Sequence, residues 1–175
     1  MYMDAKSAFD MVRIDGLLYK LHYMGVGGKT LRVIANSFQG SSSRVLQNGY
    51  FSESFHIKQG TRQGSICALF FYTVYINDLL AKLQESQHGL RIGNLRLSAP
   101  TQADDIVFLL SLSGHGLNYL LSICYSYANT WRYLYNPSKC TASVMRRKKV
   151  HSSAPPPAKY GNTLIPETDI YKHQT

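Results

Sequence analysis

Two adjacent aspartates, Asp104 and Asp105, stand between Gln102-Ala103 and the apolar run Ile106-Val107-Phe108-Leu109-Leu110. Neighbouring carboxylates repel, and apolar surroundings disfavour their ionisation, so few arrangements accommodate the pair. One is a solvent-exposed turn, since Asp is a common turn former. The other is a hairpin, with strands drawn from Ala99 to Leu110 and hinged at Asp104-Asp105, that offers both carboxylates to a cleft. There a divalent cation would remove the repulsion. Asp4 ends another short apolar stretch, Met1 to Ala5, which reads as a strand. Two strands side by side would bring Asp4 and Asp104 together; taken alone, Asp4 is a strand-end cap or a salt-bridge partner. Two-metal phosphoryl transfer needs such a carboxylate cluster, one ion helping to ionise the attacking hydroxyl and the other holding the triphosphate and leaving oxygen. Hard oxygen ligands and phosphate favour Mg²⁺, with Mn²⁺ as the alternative.

The remaining chain alternates helical and strand patterns. Asp15 is placed to cap a helix reaching about Met24, with Leu17, Leu18 and Leu21 on one face and Gly25, Gly27 and Gly28 stopping it. Lys29 to Phe38 repeats the pattern, with Leu31, Ile34, Ala35 and Phe38 inward. Arg44 to Gln47 and Ser54 to Ile57 read as strands pairing around Asn48-Gly49. Ser65 to Leu83 is a long helix, apolar on several faces and so expected to be buried. Leu90 to Ile92 and Leu95 to Leu97 flank the turn pair Gly93-Asn94, and Leu117 to Trp131 is helical, with Leu117, Leu120, Leu121, Cys124 and Ala128 on one face. Ala142 to Met145 reads as an edge strand, Arg146 to Lys149 as an exposed basic run, and Ser152 to Pro157 as a linker. Thr163 to Ile170 reads as the start of a hairpin cut off by the chain end. The order argues for an α+β fold, a small antiparallel sheet with helices packed on one face.

The 175 residues suit one domain, and 45% hydrophobic with 17% charged residues indicates a globular chain. Lys plus Arg total 19 against 10 Asp plus Glu, a net charge of +9. That excess suits a polyanionic partner and equally a merely soluble basic protein. Cys67, Cys124 and Cys140 lack metal-ligand spacing and read as reduced core thiols of an intracellular protein, nuclear or cytoplasmic. Neither a membrane span nor a signal peptide is read.

Four segments carry a family resemblance. MDAKSAFDMV is similar to the first carboxylate motif of reverse transcriptases of non-LTR (LINE-like) retrotransposons. GTRQGSICALFFYTVYINDLL resembles their Gln-Gly motif and long palm helix, QADDIVFLL their Asp-Asp hairpin, and NPSKC the lysine-bearing motif that follows. The four stand in family order between Tyr2 and Cys140. The resemblance implies the palm of a right-hand polymerase over residues 1–150, with 151–175 a linker and the start of the next hairpin. It implies an RNA-directed DNA polymerase, a nucleotidyltransferase adding dNTPs to a DNA primer 3′-hydroxyl on an RNA template with two Mg²⁺ ions. Asp4, Asp104 and Asp105 would be the catalytic, metal-holding carboxylates, with Asp4 and Asp104 the main ligands and Asp105 partly structural. Ala5, Lys6 and Ser7 would lend backbone to the triphosphate. Phe9 would gate the sugar or pack in the core. Gln63 and Gly64 would lie near nucleotide and template. Arg62 would contact phosphate or be solvated, and Lys139 would protonate the leaving pyrophosphate or be a surface lysine. Asp10, Tyr75 and Asn77 match the family with structural roles, and Trp131 is expected in the core.

The sequence departs from the family at Gln102, where an aromatic usually stands, at Ala68-Leu69 in place of Ser-Pro, and at Gln174-Thr175 in place of Leu-Gly. Fingers and thumb are expected in a longer protein, and the chain by itself is expected to be inactive. A non-catalytic mobile-element remnant that at most binds nucleic acid is the alternative. A palm-like nucleotide cyclase ranks last, since it leaves Gln63-Gly64 unexplained.

Overall fold

Along the chain run β1 (Tyr2–Met3), α1 (Ile14–Tyr23), α2 (Gly28–Phe38), β2 (Ser42–Ser43), β3 (Leu46–Gln47), β4 (Tyr50–Phe51), β5 (Phe55–His56), α3 (Ala68–Glu85), β6 (Leu90–Ile92), β7 (Leu95–Leu97), β8 (Thr101–Gln102), β9 (Asp105–Val107), α4 (Gly114–Trp131), β10 (Lys159–Tyr160) and β11 (Thr163–Leu164). This mixture of helices and short antiparallel pairs is the α+β content expected. The computed structural model describes residues 1–62, 64–102, 104–110, 114–144 and 156–168. The chain divides into two compact units, Met1–Lys6 with Asn77–Thr175, and Ser7–Ile76. Among the described residues no helix is long and apolar enough to cross a membrane.

The first unit is organised by a three-stranded sheet in the order β1-β9-β8. Both pairs are antiparallel. Met3 and Ile106 face each other across β1 and β9, and both are fully buried. Buried with them are Leu79 and Leu83 of α3 and Leu120, Leu121, Cys124 and Ala128 of α4. The α4 residues follow the helical spacing read in the sequence. A tyrosine cluster extends this core. Tyr133 and Tyr135 pack edge to face at 5.2 Å, and Tyr135 meets Tyr160 at 5.4 Å. The hairpin β10–β11 is complete, with Lys159 opposite Leu164. The hairpin expected to begin at Thr163 therefore begins earlier, and Thr163–Leu164 is its second strand; Gly161, in left-handed backbone, supplies the turn. Of the edge strand expected from Ala142 to Met145, Ala142 makes an isolated bridge to Glu167, and residue 145 lies outside the described residues. The basic run at residues 146–149, and residues 152–155 of the expected linker, lie outside the described residues.

In the second unit Leu17 and Leu21 of α1 are buried, and Leu31, Ile34, Ala35 and Phe38 are the half-buried positions of α2. Asp15 is not the helix cap. The cap is Arg13, in extended backbone, and Asp15 lies in the first turn, where its carboxylate accepts the Gly16 N–H and pairs with Arg13. The Arg13 hydrogen bond holds the Asp15 carboxyl below its ordinary range. Lys20 is buried, with Nζ donating to the Tyr75 carbonyl and lying 4.8 Å from the centre of the Tyr75 ring. The strands around Asn48-Gly49 pair differently from expectation. Leu46 pairs with Phe51 and Gln47 with Tyr50, directly across the turn, and Phe55–His56 pairs with Ser42–Ser43 further down the same arm. Asn48 and Gly49 both have positive φ, which suits a two-residue hairpin turn and fixes the nearer partner. Cys67 is exposed just ahead of α3, whereas Cys124 and Cys140 are buried as expected. Leu69 and Phe70 are also exposed, so the first turn of α3 is less buried than its composition suggests.

Candidate active site

Strand alternation positions the carboxylates. Because Met3 and Ile106 point into the core, Tyr2, Asp4, Asp105 and Val107 take the opposite face. Extending the register one step sets Asp4 opposite Asp105. Asp104 sits in the turn of the β8–β9 hairpin, where Gln102 pairs with Asp105. Asp104 thus stands in the turn as expected, whereas Asp105 is a strand residue.

Burial raises the Asp4 carboxyl above its ordinary value; the Lys139 ammonium opposes the shift, and the charges of Asp105 and Asp104 reinforce it. All four charged groups therefore share one electrostatic neighbourhood. The Tyr2 hydroxyl donates to Asp105 Oδ1. Among the described residues, no group of three or more His, Cys, Asp or Glu side chains gathers tightly enough to hold a metal ion. Asp105, bound to Tyr2, is engaged within the protein.

Asp4 is gripped through its backbone by residues 134–141. The Asn136 N–H donates to the Asp4 carbonyl at 2.9 Å, and the Asp4 N–H donates to Cys140 Sγ at 3.4 Å. On either side, the Lys6 N–H donates to the Leu134 carbonyl at 2.9 Å, and Tyr2 and Thr141 exchange N–H···O bonds of 2.8 and 3.1 Å. The Asn136 carbonyl also accepts the N–H groups of Lys139 and Cys140, closing the turn that carries exposed Lys139. Burial pushes the Cys140 thiol up to about 11, so it remains a neutral acceptor near pH 7. Sequence reasoning missed Tyr2, Asn136 and Cys140 as positioning groups. Tyr2 was recoverable from its place two residues before Asp4, on the same strand face.

The other candidates fall as follows. Ala5 is buried and bridged to Tyr135, and Lys6 is exposed. In the second unit, Ser7 has φ 48, and its carbonyl accepts the N–H groups of Asp10 and Met11. The Phe9 ring packs 4.9 Å from that of Tyr72. Exposed Arg62 reaches Ser41 Oγ at 3.4 Å, Gly64 has φ 81, and Gln63 lies outside the described residues. Gly60 ties two motif segments together. Its N–H donates to the Val12 carbonyl at 2.7 Å, and the Thr61 N–H donates to the Phe9 carbonyl at 2.9 Å. At φ +93, a Cβ on Gly60 would stand 3.1 Å from Asp10 Cα and 3.2 Å from its carbonyl oxygen. Gly60→Ala should therefore cost about 1–3 kcal/mol. Gly64→Ala, where nothing lies within 4 Å of the added Cβ, should cost less. Thermal melting of both variants checks the order, and equal losses would remove any special role for the Gly60–Asp10 approach.

A family model described as "Reverse transcriptase (RNA-dependent DNA polymerase)" matches residues 1–160. The chain is 22% identical over 157 residues to the Retrovirus-related Pol polyprotein from type-1 retrotransposable element R2 of Popillia japonica, covering 87% of this chain and 26% of that protein. It is 25% identical over 138 residues to the Retrovirus-related Pol polyprotein from type-2 retrotransposable element R2DM of Drosophila melanogaster, covering 79% of this chain and 13% of that protein. It is 26% identical over 177 residues to the RNA-directed DNA polymerase from mobile element jockey of Drosophila funebris, covering 98% of this chain and 18% of that protein. The chain thus spans about a quarter or less of these curated relatives.

Proposed function

The chain belongs to the reverse transcriptase (RNA-dependent DNA polymerase) family, and from that premise we propose that residues 1–150 are the palm of a non-LTR retrotransposon RNA-directed DNA polymerase. In this reading the β1-β9-β8 sheet, with helices on one face, is the floor of a right-hand polymerase. It adds dNTPs to a DNA primer 3′-hydroxyl on an RNA template. The observation that carries the reading is the shared electrostatic neighbourhood of Asp4, Asp105, Asp104 and Lys139.

The donors suit Mg²⁺ or Mn²⁺. They are carboxylate oxygens, and the mutual repulsion that helps raise the Asp4 carboxyl is what a cation relieves. Asp4 and Asp104 would hold the ions, with Asp105 oriented by Tyr2. The ions, when bound, would lower the cost of ionising the primer hydroxyl and of charge on the leaving phosphate. The chain's own residues position and balance charge. Asn136 and Cys140 fix the Asp4 peptide, and Lys139, by its match to the family motif, would deliver a proton to the departing pyrophosphate. By their match to the family motif, Ala5 and Ser7 would lend backbone N–H groups to the triphosphate, whereas the Lys6 N–H is already given to the Leu134 carbonyl. By their match to the family motifs, Phe9, Arg62, Gln63 and Gly64 are assigned to nucleotide and template. The 175 residues alone do not clamp primer and template in this proposal, so polymerase activity belongs to a longer protein.

The second reading, a non-catalytic remnant that at most binds nucleic acid, is favoured by one observation. No three such ligands gather among the described residues. Mn²⁺ titration followed by electron paramagnetic resonance separates the two. Saturable binding lost on Asp104→Asn supports the metal site, and a featureless titration leaves the remnant. Primer extension by the 175-residue chain is expected to yield no product, and processive synthesis would overturn that part.

A further inference from the structure

We propose that Tyr2 sets the ion selectivity of the candidate active site by withholding Asp105 from the ions, so that the protein itself supplies only Asp4 and Asp104 as ligands. The inference rests on the proposed metal site and adds to it a positioning residue that touches no ion. Its ground is the hydrogen bond from the Tyr2 hydroxyl to Asp105 Oδ1. The register explains the reach. Tyr2 pairs with Val107 and Met3 with Ile106, which sets Asp105 diagonally across from Tyr2 on the same sheet face. Diagonal neighbours stand about 7–8 Å apart, within reach of an aromatic side chain. Tyr2 approaches from the far side of Asp105, away from the turn that carries Asp104. Its backbone is pinned on both edges, by β9 and by the bonds of 2.8 and 3.1 Å exchanged with Thr141.

Such a hold changes the number of ligands. A hydroxyl donating to a carboxylate makes a strong, charge-assisted bond, and an oxygen that accepts it has less charge to offer a cation. Mg²⁺ is commonly held by one or two carboxylates together with substrate phosphates. Ca²⁺ takes about six to eight oxygens, and its affinity follows the number of charged ligands. Asp4 and Asp104 alone suit the smaller ion and leave its other positions to water and a triphosphate. Asp105, which the register sets opposite Asp4, would make a third carboxylate, a set that suits the larger ion without any nucleotide. The competing role for the Tyr2 hydroxyl is to orient a bound Asp105, and the two roles have opposite signs. Removing the partner of a bound ligand costs about 10–100-fold in metal affinity, whereas removing a partner that withholds a ligand raises it.

The test is Mn²⁺ binding to the 175-residue chain without nucleotide, followed by electron paramagnetic resonance, with Mg²⁺ and Ca²⁺ as competitors. Tyr2→Phe keeps the ring and removes the hydroxyl. It should raise Ca²⁺ affinity at least about tenfold and change Mg²⁺ affinity less than about threefold. Asp105→Asn should change Mn²⁺ affinity less than about threefold in the wild type, and in the Tyr2→Phe background it should abolish the Ca²⁺ gain. Tyr23→Phe, which removes an exposed phenol hydroxyl at the end of α1, should match the wild type. Weaker binding of all three ions in Tyr2→Phe overturns the proposal, because Tyr2 would then orient a bound Asp105. An unchanged ion preference, or a Ca²⁺ gain that survives Asp105→Asn, overturns it too. If Tyr2→Phe lowers the melting temperature, Asp105→Asn alone decides: a loss of Mn²⁺ affinity of about tenfold or more means that Asp105 is already bound. Asp104→Asn separates the two levels of failure. If Mn²⁺ binding survives that change, or no variant binds Mn²⁺, the metal site falls and the role of Tyr2 with it. If binding is lost there while Tyr2→Phe leaves the ion preference unchanged, only the role of Tyr2 falls.

Discussion

Asp4→Asn should reverse the order of stability between two buffers. In EDTA at neutral pH the variant should melt slightly above the wild type; in saturating Mn²⁺ the wild type should melt higher. The first half follows from the raised Asp4 carboxyl, whose leading cause is burial, with Asp105 and Asp104 adding to it against Lys139. A carboxyl that titrates higher in the folded chain than in the unfolded one makes the folded state bind more protons between the two values. Stability therefore falls as pH rises from the ordinary carboxylate range through the folded-state value, and the loss persists at neutral pH. Asn removes the charge and with it the penalty. Asp4 is only partly buried, so the gain should stay within about 2 °C and vanish below about pH 4. The second half is mass action. A metal bound only by the folded wild type adds about 2.7 kcal/mol at a hundredfold excess over Kd. Losing a direct ligand should weaken Mn²⁺ by at least about tenfold, since even outer partners of a metal site cost that much. Scanning calorimetry in both buffers, from acid to neutral pH, reads all of this. A variant less stable than wild type in EDTA would make Asp4 a structural partner of Lys139, the salt-bridge reading that the sequence left open.

The carboxylate pattern was legible in the sequence because it is local and chemically costly. Adjacent aspartates before an apolar run suit an exposed turn as well, and it is the third aspartate, at another strand end, that points to an acidic cluster. The structure places Asp4 and both hairpin aspartates in one electrostatic neighbourhood. The helices were legible for a similar reason, since Leu17 with Leu21, and Leu120 with Leu121, Cys124 and Ala128, follow the spacing of one buried face. What failed depended on a choice between near-equivalent local partners. Leu46–Gln47 had two candidate strands downstream, and the short turn favoured the nearer, Tyr50–Phe51. Asp15 had the residue type of a cap, but Ile14 begins the helix and Arg13 takes the aspartate's oxygens. Asn136 and Cys140 were not singled out as positioning groups because their roles arise only when strand β1 meets residues 134–141. Periodicity carries no information about that long-range pairing.

Ile106→Ala is expected to be the most destabilising single change at the site, at about 2–5 kcal/mol. Ile106 is fully buried in the central strand of the β1-β9-β8 sheet, facing Met3 on one side and Thr101 on the other. Truncation removes apolar contact on both sides and leaves a cavity that β1, only two residues long, has little means of closing. Against a typical domain stability of about 5–15 kcal/mol, the loss is large. The consequence for function follows from alternation. Met3 and Ile106 anchor the core face, and that anchoring presents Asp4 and Asp105 on the other. Val107→Ala is the control, because Val107 lies on the carboxylate face and is only half-buried, so its truncation should cost well under half as much. Urea unfolding followed by circular dichroism gives the two midpoints. Hydrogen exchange at Tyr2, which exchanges backbone bonds with Thr141, reports whether β1 loosens with Ile106. Equal costs at Ile106 and Val107 would mean that the two sheet faces are not differently buried in solution, and the carboxylates would then lack the one-sided support that any metal site on this sheet requires.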